Sequence, residues 1–298
     1  MLSILIGIPT YNGAHRLHAC VESIRKAGDV PDGSKINIVL LDDGSPEPKR
    51  SESFWVAAHH NLPIIPHREN MGISKSWNDL CQSSDSDYIV LLNDDVLVSP
   101  GWLTAGLFFL ENNSNVGAVG WDCYYILDED IPVILEAERP PTIWRDRNTK
   151  ELLAHGKGLA DPVRTVPYYI MACAGYAFLF TRNNYDRVGG FDEGFRTFYE
   201  ETDFGTRLAR DGMKSFMLHT PMVYHLWART MAENEAVLKP SKLMDDSRRY
   251  YIKKWEVPES YHAHPALYVH PTFMGPPMDI EGTWLDHGKP VTGIIREQ

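Results

Sequence analysis

The sequence predicts an α/β protein with a doubly wound, mostly parallel central sheet flanked by helices, and three observations carry that prediction. Residues 3–8, 36–41 and 88–92 are short and nearly all apolar, which suits strands covered on both faces, as in a parallel sheet. Helical patterns lie between them, at 15–27, around 51–59 and at 73–83, and strands alternating with helices imply right-handed crossovers. Each apolar run also ends in a polar cluster: Thr10-Tyr11-Asn12, Asp42-Asp43-Gly44-Ser45 and Asn93-Asp94-Asp95. Ligands of an open α/β sheet bind beyond the carboxyl ends of its strands, so the three clusters describe one site.

The first run opens Met1-Leu2-Ser3-Ile4-Leu5-Ile6-Gly7; it has no basic leader and breaks at Gly7 and Pro9, so it reads as a buried strand and not as a signal peptide. Residues 116–119 form a further strand, and the polar, proline-rich stretch at 122–166 predicts loops and short pieces over the sheet. A strand-like run at 168–181 is interrupted by Gly175, and Gly189-Gly190-Phe191-Asp192 leads into a helix over about 201–211, stopped by Gly212, then a strand near 215–218. Residues 232–255 read as partly helical, with Lys253 and Lys254 suited to a helix C-terminus, and 257–298 as a draped extension without a period.

Composition narrows the function. A chain of 298 residues that is 43% apolar can fill a sizeable core. Forty acidic residues against 29 basic ones, a net charge of -11, argue against a nonspecific grip on a phosphate backbone and disfavour nucleic acid. The cysteines Cys20, Cys81, Cys123 and Cys173 lie far apart, with no zinc spacing and no disulfide framework, which points to a reducing cytosol. No window approaches the roughly 20 apolar residues that span a bilayer, so the expected location is cytoplasmic, at most peripheral to a membrane. Apart from His225, the histidines, among them His59-His60, His262, His264, His270 and His287, have no tight ligand spacing, and most read as surface or hydrogen-bonded residues.

Acidic groups where a strand stops suit a hard divalent cation such as Mn2+ or Mg2+, which takes few protein ligands and leaves positions open for phosphate oxygens; the alternative for Asn93-Asp94-Asp95 is an acidic turn with an asparagine cap. Asp42-Asp43-Gly44-Ser45 alone is equally compatible with a turn. Glu200, Glu201 and Asp203 follow the aromatic Phe195, Phe198 and Tyr199 and precede Arg207. They are either partners of a helix dipole or contain a carboxylate base, because a carboxylate desolvated by rings gains proton affinity.

Taken in order, these residues resemble glycosyltransferase family 2, the inverting transferases of the GT-A fold, from residue 4 to about 230. Ile8-Pro9-Thr10-Tyr11-Asn12 is similar to the opening Pro-Thr-Tyr-Asn element and Leu41-Asp42-Asp43-Gly44-Ser45 to the nucleoside-holding element. Arg68-Glu69-Asn70-Met71-Gly72, with Asn78 after it, is similar to the Asn-x-Gly element, and Asn93-Asp94-Asp95 takes the place of Asp-x-Asp. Gly189-Gly190-Phe191-Asp192-Glu193 and Glu200-Glu201-Thr202-Asp203 with Arg207 resemble the acceptor-side elements. Two departures stand out: Asn93 opens the metal motif, making Asp95 the more secure ligand, and glutamate replaces the usual aspartate base, with Glu201 first and Glu200 its rival.

The resemblance implies a metal-dependent transfer of a sugar from a nucleotide diphosphate sugar by one in-line displacement with inversion. Glu201 would take the acceptor proton, and Asp95 would hold the metal. His225, after the last core strand, would be a further ligand or else a structural residue. Thr10, Tyr11 and Asp43 would hold base and ribose, with Asp94 near the ribose, and Pro9, Asn12, Asp42, Asn70, Gly72, Asn78 and Asn93 would line the donor pocket. Trp121, Tyr176 and Trp227 are either sugar-stacking or core aromatics, beside Asp203 on the acceptor side. The implied organisation is a GT-A domain over 1–230, with a donor half at 1–121 and an acceptor half at 122–230, followed by an extension at 231–298. The acceptor could be a glycan, a small glycoside, a lipid, a protein or a nucleic acid. The rival readings are a catalytically silent sugar-binding scaffold on the same fold and a nucleotidyltransferase, which would be expected to carry a glycine-rich basic phosphate loop.

Overall fold

Residues 4–10 of β1 (Leu2–Thr10) are buried because β1 lies inside the sheet, paired in parallel with β2 (Ser34–Asp42) on one side and β4 (Tyr88–Leu92) on the other. The computed structural model describes residues 2–28, 33–137, 142–145, 152–156, 168–170, 172–226, 233–263, 265, 285–286 and 289–290. Among them the main sheet runs in the order β3-β2-β1-β4-β10-β6-β11-β5, with β9 on β11. Here β3 is Ile64–Pro66, β5 Val96–Val98, β6 Val116–Tyr125, β9 Tyr168–Ile170, β10 Ala177–Thr181 and β11 Lys214–His225. The sheet is mixed and mostly parallel. The first four strands are parallel, β10 enters antiparallel between β4 and β6, and β11 runs parallel to β6. Among the described residues the helices are α1 (Ala14–Ala27), α2 (Lys49–His59), α3 (Ile73–Gln82), α4 (Trp102–Asn112), α5 (Ile131–Glu136), α6 (Arg182–Val188), α7 (Glu200–Arg210) and α8 (Pro240–Trp255), with one helical turn at Glu235–Leu238 before the last. None of them is long and apolar enough to cross a membrane.

The register levels the strand ends. Thr10 pairs with Asp42, and Gly7 pairs with Leu91, so three residues further on Thr10 and Asp94 come abreast. The polar clusters after β1, β2 and β4 therefore share one edge of the sheet. A fourth end joins them, because the last residues of β11 pair with β5 and set His225 opposite Val96, next to Asp95.

The sequence pattern did not indicate α4, whose segment is too apolar to show an amphipathic period. It packs on β6 where Gly106 lets the Trp121 ring approach, and a Cβ at Gly106 would collide with that ring. Between 122 and 166, expected as loops and short pieces, β6 runs on to Tyr125, α5 follows, and β7 (Thr142–Arg145) pairs with β8 (Leu152–Gly156) as a separate hairpin. Rings hold α3, β10, α7 and the loop after α6 together: Phe191 stacks on Phe204 at 4.6 Å and meets Trp77 at 4.9 Å, and Phe180 lies 5.1 Å from Phe204. Pairs of this kind contribute about 0.5–1.5 kcal/mol each beyond burial. α8 packs on α7 and the loop before it: Tyr251 and Trp255 close over Phe195, the Trp255 indole donates to Asp203, and the Ser247 hydroxyl donates to the Thr197 carbonyl at 2.6 Å.

Candidate active site

At the end of β1 the buried Thr10 hydroxyl donates to Asp94 Oδ2 at 2.5 Å. The turn after it must hug that carboxylate, and a Cβ at Gly13 would run into Asp94. Arg16, in the first turn of α1, is fully buried and makes a two-pronged contact to Glu233, 2.8 Å to Oε1 and 2.6 Å to Oε2. Its charge acts on both Asp94 and Asp95, which offsets the cost of burying two adjacent carboxylates. Asn12 donates from its backbone to Ser45 Oγ at 2.9 Å and from its side chain to Asn234 at 2.6 Å. Residues 233 and 234 thus lie against the loop that follows β1.

Burial, and then the neighbouring Asp95, push Asp94 up to about 7. Burial also acts to raise Asp95, but the charges of His225 and Arg16 outweigh it and hold Asp95 below the usual carboxylate range. Burial lowers the proton affinity of His225 while Asp95 raises it, and Asp95 prevails, to about 10. Asp95 Oδ1 lies 3.2 Å from His225 Nε2, in a geometry that leaves this oxygen without a hydrogen bond among the described residues. A buried carboxylate oxygen without a hydrogen bond, facing an imidazole, is a donor pair that fits a divalent cation of the manganese type. The Tyr176 ring lies 4.7 Å from that of His225, its hydroxyl donates to the Trp121 carbonyl, and its own carbonyl accepts from Asn93 N–H at 2.9 Å.

The turn after β2 is organised by its two aspartates in different ways. Asp42 is fully buried and accepts from Ser45 N–H at 2.8 Å and Ser53 Oγ at 2.6 Å, so it shapes the turn. Asp43 accepts from the backbone N–H groups of Met71 at 2.8 Å and Gly72 at 3.0 Å, and pairs with His67 at 2.6 Å. Burial raises Asp43, against the opposing pull of those three partners. His67 spans Asp43 and Asp79, 2.8 Å away. Gly44 and Gly72 both have positive φ, and a Cβ at either would strike backbone of the facing loop, at Glu69 and Arg196 respectively. Arg196 donates to the Asn70 carbonyl and side chain, which latches the loop before α7 onto the loop before α3.

The two glutamates open α7 directly after Phe198 and Tyr199, which have φ of 65° and 68°. Bulky residues in the left-handed region are rare and strained, and such strain gathers at functional sites. Oε2 of Glu200 and Oε2 of Glu201 are buried without a hydrogen bond among the described residues. Burial pushes Glu201 up to about 6. Burial and the neighbouring Glu201 push Glu200 well above the ordinary glutamate range. The apolar neighbour of Glu201 is Trp77, from which it is separated only by Gly175: an added Cβ there would lie 3.2 Å from the indole and 3.6 Å from Glu201 Cδ. The aromatics adjacent in sequence act elsewhere, since Phe195 and Tyr199 pack against α8.

Several expected site residues have other duties. Asn78 Oδ1 accepts from Phe191 N–H and the Tyr185 hydroxyl while its amide donates to the Phe191 carbonyl and to Glu193, so it fastens α3 to the loop after α6 and is not a donor ligand. Asp203, placed on the acceptor side by the sequence, is fully buried and accepts from Arg207, Lys254 and the Trp255 indole. Trp121 is fully buried with its indole N–H on the Trp102 carbonyl, which leaves no face for a sugar. Asp42 likewise has no oxygen left for a nucleotide. Pro9 is buried within β1, Tyr11 is half-buried, and Trp227 lies outside the described residues. Sequence reasoning passed over Gly13, Arg16 and His67. Arg16 had a visible signal, a lone arginine one turn after the first polar cluster, whereas His67 had none until Asp43 and Asp79 closed on it.

Known proteins resemble this chain in sequence and in fold. The family model of "Glycosyl transferase family 2" matches residues 5–177. An N-acetylglucosaminyl-diphospho-decaprenol L-rhamnosyltransferase of Mycobacterium tuberculosis is 24% identical over 249 residues, 76% of this chain and 77% of the relative. A pre-mycofactocin glycosyltransferase of the same organism is 25% identical over 211 residues, 71% of this chain and 40% of the relative. In fold, the chain is similar to the mannosyltransferase PcManGT from Pyrobaculum calidifontis in complex with GDP-Man and Mn2+, with a TM-score of 0.57 and 18% identity over 90% of this chain and 70% of the other. It is also similar to S. aureus TarS 1-349 in complex with UDP-GlcNAc, with a TM-score of 0.57 and 13% identity over 90% and 71%. With the matched residues covering more than half of it, the chain belongs to glycosyl transferase family 2, has the GT-A fold and is a glycosyltransferase.

Proposed function

We propose that this chain moves a sugar from a nucleotide diphosphate sugar to an acceptor hydroxyl in one inverting, metal-dependent step, with Glu201 as general base. The observation that carries the reading is the loop at Gly175 and Tyr176, which has Glu201 against its first residue and His225, partner of Asp95, against its second. A proton acceptor and a cation-binding pair thus flank one backbone segment. A carboxyl pushed up to about 6 is mostly ionised at neutral pH yet retains more proton affinity than an ordinary glutamate, which suits it to take a hydroxyl proton. Glu200, raised well above the ordinary glutamate range by burial and by the neighbouring Glu201, gives up its proton less readily and is the weaker candidate. Asp95 and His225 would hold Mn2+ or Mg2+, and such an ion supplies positive charge against a departing diphosphate. Arg16 keeps Asp94 and Asp95 at close quarters without the ion, and Thr10 holds Asp94 by its outer oxygen.

Solved neighbours with GDP-Man and with UDP-GlcNAc support a nucleotide diphosphate sugar as donor class. The relative whose name carries a decaprenol-linked diphosphate keeps a lipid among the acceptor classes and is compatible with a cytoplasmic chain working at a membrane surface. The test is a screen of nucleotide sugars for donor hydrolysis and transfer, with added Mn2+ or Mg2+ and with excess chelator. Donor consumption that needs the ion is the expected result. Full turnover in chelator would remove the metal from the mechanism, and no consumption of any donor would favour a silent scaffold.

A further inference from the structure

We propose that His18, Glu22, His59 and His60 form a second cation site, selective for a borderline divalent ion of the zinc class and separate from the Asp95 centre. Each of the four offers one ligand atom, and these atoms lie within 4.8 Å of one another; among the described residues no other set of three or more histidine, cysteine or acidic side chains does so. His18 and Glu22 stand four residues apart on α1, where side chains share a face. His59 and His60 end α2, the helix packed beside it. Arg16 and His18 are two residues apart, about 200° around the helix, so one α1 turns Arg16 to the Asp94 and Asp95 carboxylates and His18 to α2.

The side chains already meet, and one nitrogen of His60 would face the ion. His60, 2% exposed, bridges the two α1 side chains: its Nε2 is 3.0 Å from His18 Nδ1 and its Nδ1 is 3.6 Å from Glu22 Oε1. Two ligands on one tetrahedral zinc ion, at bonds of about 2.0–2.1 Å, stand about 3.3 Å apart, so the two ring nitrogens need to move little. The ring of His59 lies 5.4 Å from that of His18 and 4.9 Å from that of His60. Trp55 stacks on His59 at 4.9 Å. The carbonyls at the C-terminus of α2 add negative potential, which favours a cation. Arg25 donates from its guanidinium to the His60 carbonyl, and Glu22 supplies a compensating negative charge. Three imidazoles and one carboxylate suit zinc, whereas magnesium and calcium demand oxygen donors. The ion would tie together the helices that follow β1 and β2, both of which descend from donor-side turns.

The test uses the full chain without a polyhistidine tag, stripped with chelator and titrated with Zn2+ against a chromophoric competitor, in parallel for wild type, Asp95→Asn, Glu22→Gln and His18→Ala/His59→Ala. One zinc per chain should bind wild type and Asp95→Asn alike, unaffected by millimolar Mg2+. The double variant should bind about a hundredfold more weakly or worse, since even outer partners of a metal ligand are worth about 10- to 100-fold. Zn2+ should raise the melting temperature of wild type and Asp95→Asn but not of the double variant. Equal affinity in wild type and the double variant, or loss of the site in Asp95→Asn, overturns the proposal. Should the double variant fail to fold by circular dichroism, His59→Ala alone decides at an exposed position: unchanged zinc affinity there overturns the proposal, and a weakened one supports it.

Discussion

Two clusters of histidine and carboxylate flank α1, and they differ in nearly every respect. Asp94, Asp95 and His225 sit at strand ends, buried, carboxylate-rich and balanced by Arg16. His18, Glu22, His59 and His60 sit between two helices, imidazole-rich and partly open to solvent. A strand end is an address that sequence order announces, because an apolar run stops and polar residues begin. A helix-to-helix contact has no such marker: His18 and His60 are 42 residues apart yet 3.0 Å away. The contrast in donor atoms also separates their chemistry, oxygen-rich against nitrogen-rich.

The largest effect should come from breaking one cluster and sparing the other. Asp95→Ala is expected to abolish transfer while leaving the fold intact, whereas His18→Ala/His59→Ala should transfer at the wild-type rate. Steady-state assays on a verified donor and acceptor measure both, and comparable losses would erase the division of labour between the clusters.

Next in size is the base. Glu201→Gln keeps the shape but cannot accept a proton, so kcat should fall by about 10²- to 10⁴-fold with donor KM little changed. Wild-type kcat should rise with pH through about 6, because Glu201 must shed its proton to act. A greater loss in Glu200→Gln, or a rate flat from pH 5 to 8, would move the base elsewhere.

A structural effect of intermediate size is expected at Asn78, where four hydrogen bonds converge in a buried position. Asn78→Ala should cost about 2–4 kcal/mol in chemical denaturation, from groups left unsatisfied. A donor KM that rises with stability unchanged would return Asn78 to the nucleotide pocket.

The smallest effect concerns Glu200. Its proton affinity in the fold exceeds that in the unfolded chain, so the stability tied to its proton is present at low pH and lost as pH rises above the ordinary glutamate value. Glu200→Gln removes that penalty, and its melting temperature relative to wild type should climb from pH 5 to pH 8. A difference independent of pH would mean that the carboxyl is not desolvated.

Much of the fold was legible. The runs at 3–8, 36–41 and 88–92 became β1, β2 and β4, and the helical patterns between them became α1, α2 and α3 within a few residues. β5 escaped because three residues carry no period, and α4 because its exposed face carries an apolar ring, Phe108, that hides the period. Within the candidate site, Thr10, Asp94, Asp95 and Glu201 could be singled out from their positions in order, and the fold makes them buried neighbours of other polar groups or rings. Trp121, Asn78 and Asp203 were misjudged for a shared reason: a polar or aromatic residue in a motif looks the same whether it faces a ligand or fastens two elements together. Only its partners tell, and those partners, Trp102, Phe191 and Trp255, lie 19, 113 and 52 residues away.

Local chemistry along the chain was enough to set the parallel half of the sheet, the family and the edge on which the polar clusters gather, because apolar runs and strand-end polarity are properties of neighbouring residues. Tertiary structure alone decided which carboxylates are paired, which are desolvated and which histidines meet. Proton affinity and ligand geometry depend on atoms a few ångströms away in space, and the fold draws those from β11, α2, α8 and the segment at Glu233 without regard to their distance in sequence.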